Sequence, residues 1–196
     1  MFFLLAISFL LIVPYGASQG SYSYCEGDCK TSCQYENVAL RGRATQSSVF
    51  GNTKYGYVSW PINAIDGNPD ADYYHGSCTH TNNDMSPWWR LDLLRNHRIS
   101  KVIITNRGDC CGERLNGGEI LIGSSLANNG NNNPRCAQIT NSVVPLTQSF
   151  DCDNLVGRYV NIVIPGRQDF LHFCEVAVYG VPTHDDNFCE SSVTTQ

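Results

Sequence analysis

The sequence predicts an all-β protein, an antiparallel β-sandwich or jelly roll stapled by disulfides. Three observations carry this. Short runs of alternating or β-branched residues recur along the chain, turn-rich stretches separate them, and no long amphipathic helical pattern competes. Low charge and plentiful glycine, asparagine and aromatic residues fit β-structure with long, ordered loops. Ten cysteines in so small a chain imply an oxidising compartment and a disulfide framework.

Residues 1–20 read as a signal peptide. Residues 2–13 are almost entirely apolar, Pro14 ends the run, and Gly16, Ala17, Ser18 and Gly20 offer a cleavage site, although no Lys or Arg opens the segment. The run is shorter than the roughly 20 apolar residues of a membrane span, so a secreted, extracellular chain without membrane insertion is expected. Next come Cys25, Cys29 and Cys33, spaced every fourth residue, which on a helix would share one face. Strands are expected at residues 89–93, 102–105, 119–122, 159–164 and 175–179, the fourth with Val160, Ile162 and Ile164 on one side. Gly67-Asn68-Pro69-Asp70 and the Asn-rich stretch 128–134 read as turn and loop. Trp88 and Trp89 are expected in the core, because Trp89 leads into an alternating strand. The polar tail carries Cys189.

The formal net charge of -5, with no basic run, heptad or internal repeat, excludes nucleic acid and anionic membranes as partners. No Asn-x-Ser/Thr sequon is present, so no conventional N-glycan is expected.

Chemistry concentrates in Thr105-Asn106-Arg107-Gly108-Asp109-Cys110-Cys111-Gly112-Glu113-Arg114, with His80 upstream. Fixed donors, an acceptor and a flat apolar surface in one loop are what a neutral ligand with both hydroxyls and an apolar patch needs. Arg107 and Arg114 each supply several donors, Asp109 balances and orients them, and two adjacent cysteines place sulfur between them. From the residues alone, Cys110 and Cys111 can bridge each other or pair with distant partners. A bridge between neighbours closes so small a ring that the peptide must twist or turn cis, at roughly 3 kcal/mol for a non-proline cis bond. Asn63-x-x-Asp66-x-Asn68 reads either as an ordinary turn or as half of a calcium shell, since calcium takes six to eight oxygens.

Rival chemistries are weaker. Arg107-Gly108-Asp109 spells an adhesive tripeptide, but both charged residues belong to the polar cluster. A glycosidase needs two carboxylates facing one bond, and the cluster holds one. Cys78-x-His80 lacks a second zinc ligand pair at suitable spacing. No activated nucleophile is visible, so no catalysis is expected.

The spacing His80-x26-Arg107-x-Asp109-x4-Arg114, with Tyr74-His75-Gly76-Ser77-Cys78-Thr79-His80 and Leu171-His172-Phe173-Cys174-Glu175-Val176, resembles the F-type lectins, the fucose-binding agglutinins. The resemblance spans residues 36–180, which leaves 21–35 and 181–196 as appendages. It implies a discoidin-like, galactose-binding-domain-like jelly roll and a binder of terminal L-fucose on glycans, acting as an agglutinin in innate defence. His80, Arg107 and Arg114 would donate to the axial hydroxyl region and ring oxygen. Cys110 and Cys111 would form a rigid apolar face, and Tyr73 or Tyr74 would cover the fucose methyl, with Tyr74 the candidate. The resemblance also implies a structural Ca2+ shell from Asn63, Asp66, Asn68, Ser77, the carbonyl of Cys174 and Glu175, and the bridges Cys78–Cys174 and Cys136–Cys152. Cys25, Cys29, Cys33 and Cys189 fall outside that pattern. They can pair internally or link subunits into a homo-oligomer, which agglutination by a single-site chain requires. A discoidin-like adhesion module for a protein or lipid ligand is the alternative on the same fold.

Overall fold

The computed structural model describes residues 35–52, 54 and 56–183. The expected signal peptide, Cys25, Cys29, Cys33 and Cys189 lie outside the described residues. The chain divides between Ser32 and Cys33, and every described residue falls on the C-terminal side.

The strands are β1 (Glu36–Asn37), β2 (Arg43–Gln46), β3 (Gly51–Asn52), β4 (Tyr57–Val58), β5 (Thr79–His80), β6 (Asp84–Met85), β7 (Trp88–Thr105), β8 (Glu119–Gly123), β9 (Arg135–Gln138), β10 (Thr147–Val163), β11 (Gln168–Asp169), β12 (His172–Phe173) and β13 (Glu175–Pro182). Seven form one antiparallel sheet in the order β1-β13-β7-β10-β8-β9, with β2 also on β7. Three short pairs, β3–β4, β5–β12 and β6–β11, shape the loops at one end. This is the disulfide-stapled, antiparallel all-β fold expected.

Two strand boundaries need correction. The runs 89–93 and 102–105 belong to the single 18-residue β7. The polar stretch between them breaks the alternation, yet the ladder continues, with Arg98 opposite both Val156 and Val181. Leu94 takes φ 68, and its N–H donates to Asp92 Oδ1 at 2.7 Å, so the chain kinks there without leaving the sheet. Likewise β10 starts at Thr147, twelve residues before the expected 159, because its first half is too exposed to show an apolar pattern. At the other end β13 runs to Pro182, and Glu36 pairs with Gly180.

The inward residues of these strands make the core. Trp89, Leu91, Ile99, Ile120, Ile162 and Phe173 are all fully buried, and Trp89 meets Phe173 edge-on at 5.3 Å. The Trp89 indole N–H donates to the Pro61 carbonyl at 3.0 Å, satisfying its one polar atom. Trp88 points the other way and is half-buried on the outer sheet face, so the expectation of two core tryptophans holds only for Trp89. The bridge Cys136–Cys152 joins β9 to β10, and Cys78–Cys174 joins the 70s loop to the start of β13.

Candidate functional site

His80 sits in β5, opposite His172 of β12. It is 4% exposed, walled by Phe50 at 4.7 Å, His172 at 5.0 Å, Phe170 at 5.5 Å and Tyr73 at 5.7 Å between ring centres. Its Nδ1 lies 2.6 Å from the Thr81 carbonyl, which can only accept, so Nδ1 carries the proton. Burial, with the charges of Arg107 and Arg114, overcomes that bond and lowers the His80 pKa to about 4. The ring is therefore neutral near pH 7 and its Nε2 is an acceptor. The resemblance implies a donor at His80, whereas this tautomer, set by a backbone carbonyl and by burial, offers Nε2 as an acceptor.

Arg107 is 7% exposed and forks onto Asp109, Nε to Oδ1 at 2.9 Å and Nη2 to Oδ2 at 2.6 Å. Its guanidinium lies 4.3 Å over the Tyr73 ring. Burial pushes the Asp109 carboxyl up, but the Arg107 fork and the Tyr73 N–H at 2.9 Å outweigh it, and the pKa is lowered. The Arg-Gly-Asp triplet is thus folded on itself and not an extended tip. Asn106, 1% exposed, donates to the Gly112 and Ser142 carbonyls at 2.9 and 2.7 Å and accepts the Arg107 N–H at 2.8 Å, closing the loop from within.

Cys110 and Cys111 are bridged to each other. Their peptide is not cis; Cys111 takes φ 61 instead. Gly112 follows where a Cβ would meet Asn106 Nδ2 at 3.2 Å and the Arg107 carbonyl at 3.3 Å, so a side chain would crowd the loop. A 3-10 turn, Gly112–Leu115, then presents Arg114 half-exposed, with its guanidinium 4.8 Å over Phe170. Arg167 grips that turn, donating to the carbonyls of Arg114 and Asn116. Tyr73 is 3% exposed, with its hydroxyl 3.0 Å from Ser59 Oγ, whereas Tyr74 is 44% exposed beside it. Of the two, Tyr74 is the one a ligand can reach.

The acidic loop lies next door. Glu175 is 7% exposed, one carboxylate oxygen accepts the Gly67 N–H at 3.3 Å, and the other has no partner. Burial, then the Asp66 carboxylate, raises its pKa to about 7. Ser77 is buried, and its hydroxyl donates to the Asp70 carbonyl at 2.5 Å. Asn63 donates its side-chain amide to the Gly76 and Cys78 carbonyls, and Asn68 Oδ1 accepts from the Asp70 N–H, so both side chains brace the loop. Cys174 is buried in its bridge to Cys78. Among the described residues no group of three His, Cys, Asp or Glu side chains is placed to hold a metal ion by itself. A cation here would rest on two carboxylates and neutral oxygens, the donor set of a hard ion.

Residues 63–162 match the family described as NedA-like, galactose-binding domain. Fucolectin-1 of Anguilla japonica is 51% identical over 144 residues, covering 73% of this chain and 80% of that protein. The chain belongs to the F-type lectin (fucolectin) family. A serum F-lectin structure from the striped bass Morone saxatilis superposes with a TM-score of 0.70 at 52% identity, covering 76% of this chain and 48% of that one. The chain thus spans about half the length of that bass lectin. A fucose-binding module of Streptococcus pneumoniae gives 0.61 at 33% identity, covering 76% and 98%. Two of these relatives are named as lectins and the third as a fucose-binding module, which places the chain in a family of carbohydrate-binding proteins and not of enzymes.

In fucolectin terms the structure gathers His80, Arg107, Asp109 and Arg114 around Tyr73 and Phe170, with Cys110 and Cys111 in the same loop, and sets Asn63, Asp66, Asn68 and Ser77 of the neighbouring loop beside Cys174 and Glu175 at the start of β13. The bridges are the three that the resemblance implies. Sequence reasoning missed Phe50 and Phe170, and it named His172 only within the Leu171–Val176 stretch, not as a wall of His80. Phe50 stands in a segment that carries no motif, and Phe170 just precedes the Leu171–Val176 stretch, so no pattern points to either. The assembled group offers guanidinium donors, one imidazole acceptor and a sulfur face within an aromatic wall. That set suits a neutral polyhydroxylated ring with an apolar side.

Proposed function

We propose that the chain is a secreted, calcium-stabilised lectin that binds terminal L-fucose on glycans. The observation that carries this is the neutral His80 acceptor set beside the Arg107 and Arg114 donors and the Cys110–Cys111 face. One fucose hydroxyl can donate to His80 Nε2 while its oxygen accepts from an arginine, the cooperative pattern that strengthens both bonds. The pyranose packs its apolar side on the bridge, and Tyr74 covers the methyl. The Arg107–Asp109 fork keeps one guanidinium fixed before the sugar arrives, which lowers the ordering cost of binding.

Calcium would be held by Asn63, Asp66, Asn68, Ser77 and Glu175 with the main-chain carbonyl of Cys174. The unpartnered oxygen of the buried Glu175, with the Asp66 carboxylate acting on it from the exposed loop, supports this, because a buried carboxylate needs a counter-charge. The ion's role is to neutralise those two carboxylates and fix the 63–77 loop, which leads through Cys78 to His80. Secretion follows from the leader-like residues 1–20, and recognition of fucosylated microbial or host surfaces follows from the ligand. Agglutination requires more than one site, supplied by a homo-oligomer, with Cys25, Cys29, Cys33 or Cys189 available for covalent links.

Calorimetric titration with L-fucose and with L-galactose, which differs only by a hydroxyl on the methyl, tests the reading. Saturable binding of L-fucose with clearly weaker L-galactose supports the proposed apolar wall. Equal affinities would remove Tyr74 from the site, and no heat with either sugar would overturn the fucose assignment.

A further inference from the structure

We propose that a cleft on the outer sheet face beside Trp88 is a second sugar-binding site on the same chain, taking one neutral saccharide ring. The cleft measures about 340 Å³ and shares no residue with the site at His80, Arg107 and Arg114. That volume lies at the small end of ligand pockets, roughly 300–1,000 Å³. Its floor is a cross-strand row. Trp88 of β7 lies opposite Val163 of β10, which lies opposite Glu119 of β8. The row sets an indole at one end, an aliphatic centre and a carboxylate at the other, all on the face away from the core. An aromatic face suits the C–H face of a pyranose, and the polar end suits its hydroxyls.

The far wall is the 128–131 loop, and it is rigidly built. Asn128, Asn129 and Gly130 take φ 50, 57 and 89 in succession, a left-handed run that asparagine and glycine tolerate best. Arg90 and the fully buried Asn161 hold it, donating to the Asn129 carbonyl at 2.9 and 2.8 Å. A Cβ at Gly130 would sit 2.7 Å from Asn161 Oδ1, so the loop is pressed onto the sheet. Asn131 accepts from Asn161 at 3.1 Å, which leaves its amide N–H groups as donors. Asn128 donates to Asn132 at 3.2 Å, which leaves its side-chain oxygen as an acceptor. Met85, 68% exposed, closes the near side.

Charge selects the ligand class. Glu119 is paired with Arg135 at 2.6 Å, and Arg90, whose guanidinium lies 5.2 Å from the Trp88 ring centre, is engaged by the loop. The lining residues include no Lys or Arg, and the two arginines at its edge are already engaged, Arg90 by the Asn129 carbonyl and Arg135 by Glu119, which favours a neutral ligand over a phosphate or carboxylate. Amides that both donate and accept match hydroxyls that do the same. Two sites per chain would let one polypeptide bridge two glycans.

The test uses the full secreted chain labelled with nitrogen-15, held saturated with L-fucose, and titrated with methyl glycosides of D-galactose, D-mannose and N-acetyl-D-glucosamine. At least one glycoside should shift the Trp88 indole and the Asn128, Asn129 and Asn131 amide signals saturably, without moving those of the Arg107 and Arg114 side chains. Met85→Arg, at an exposed position, should weaken that binding by at least about tenfold while leaving retention on fucose unchanged. Trp88→Ala should do the same to the second site. The proposal is overturned if no glycoside gives a saturable shift there, or if the shifts persist undiminished in both variants. Neither outcome bears on the fucose site, which the saturating ligand reports separately.

Discussion

Acidification should weaken folding and sugar binding through His80 in two different windows. In the unfolded chain its imidazole titrates near 6.5; in the fold, burial first and the two arginines next hold it at about 4. Between those values the unfolded chain binds the proton and the native chain does not. The contribution is therefore fully present above about pH 6.5, falls as pH drops, and is lost by about pH 4. A gap of about 2.5 units at ~1.4 kcal/mol each amounts to roughly 3 kcal/mol. Sugar binding follows the native pKa instead. With Nε2 as acceptor, L-fucose affinity should stay flat down to about pH 5.5 and fall as pH approaches 4. Urea unfolding at several pH values, in excess calcium, should show a steeper acid loss for the wild type than for His80→Gln, which has no ring to protonate. Calorimetry on the wild type supplies the affinity profile. Identical pH slopes for the two proteins would refute the buried neutral imidazole. An affinity midpoint near 6.5 would refute the acceptor role.

Three further outcomes are expected. In chelator, Glu175, raised to about 7 by burial and Asp66, keeps its proton in the fold above the usual carboxylate range, so stability should fall as pH rises from 5 to 8; calcium should restore it at pH 8, and a melting temperature indifferent to both would remove the proposed ion. Phe170→Leu removes the ring under the Arg114 guanidinium and should weaken L-fucose binding by about three- to tenfold with little change in melting temperature; unchanged affinity would mean the ring does not position Arg114. Replacing both Cys136 and Cys152 by serine should cost ~2–4 kcal/mol of stability and leave fucose affinity intact, because the bridge ties β9 to β10 outside the site; a matching loss of affinity would place it in the binding machinery.

What the sequence made legible was local. Arg107, Asp109, Cys110, Cys111 and Arg114 lie within eight residues, so the loop's chemistry is readable without a fold. The Arg107–Asp109 fork follows from a two-residue separation that lets one side chain fold back on the other. The aromatic wall was not legible. Phe50 and Phe170 reach His80 only because β5 and β12 pair, and two-residue strands have no periodicity to detect. The long β7 was hidden for a similar reason: Leu94 to Arg98 abandons the alternation, and pairing breaks after Asp92 and resumes at His97 and Arg98 with strands on both sides. Trp88 and Trp89 look alike in sequence, yet adjacent positions on a strand face opposite ways, and only one enters the core.

The most direct test of the central claim is retention of the secreted protein on immobilised L-fucose, comparing the wild type with Arg114→Ala. Arg114 is half-exposed and absent from the core, so its loss removes sugar contacts and leaves the packing in place. The wild type should be held through a D-galactose wash and released by free L-fucose, while the folded variant should pass straight through. A wild type that is not retained, or a variant held as tightly as the wild type, would contradict the assignment of this site to fucose.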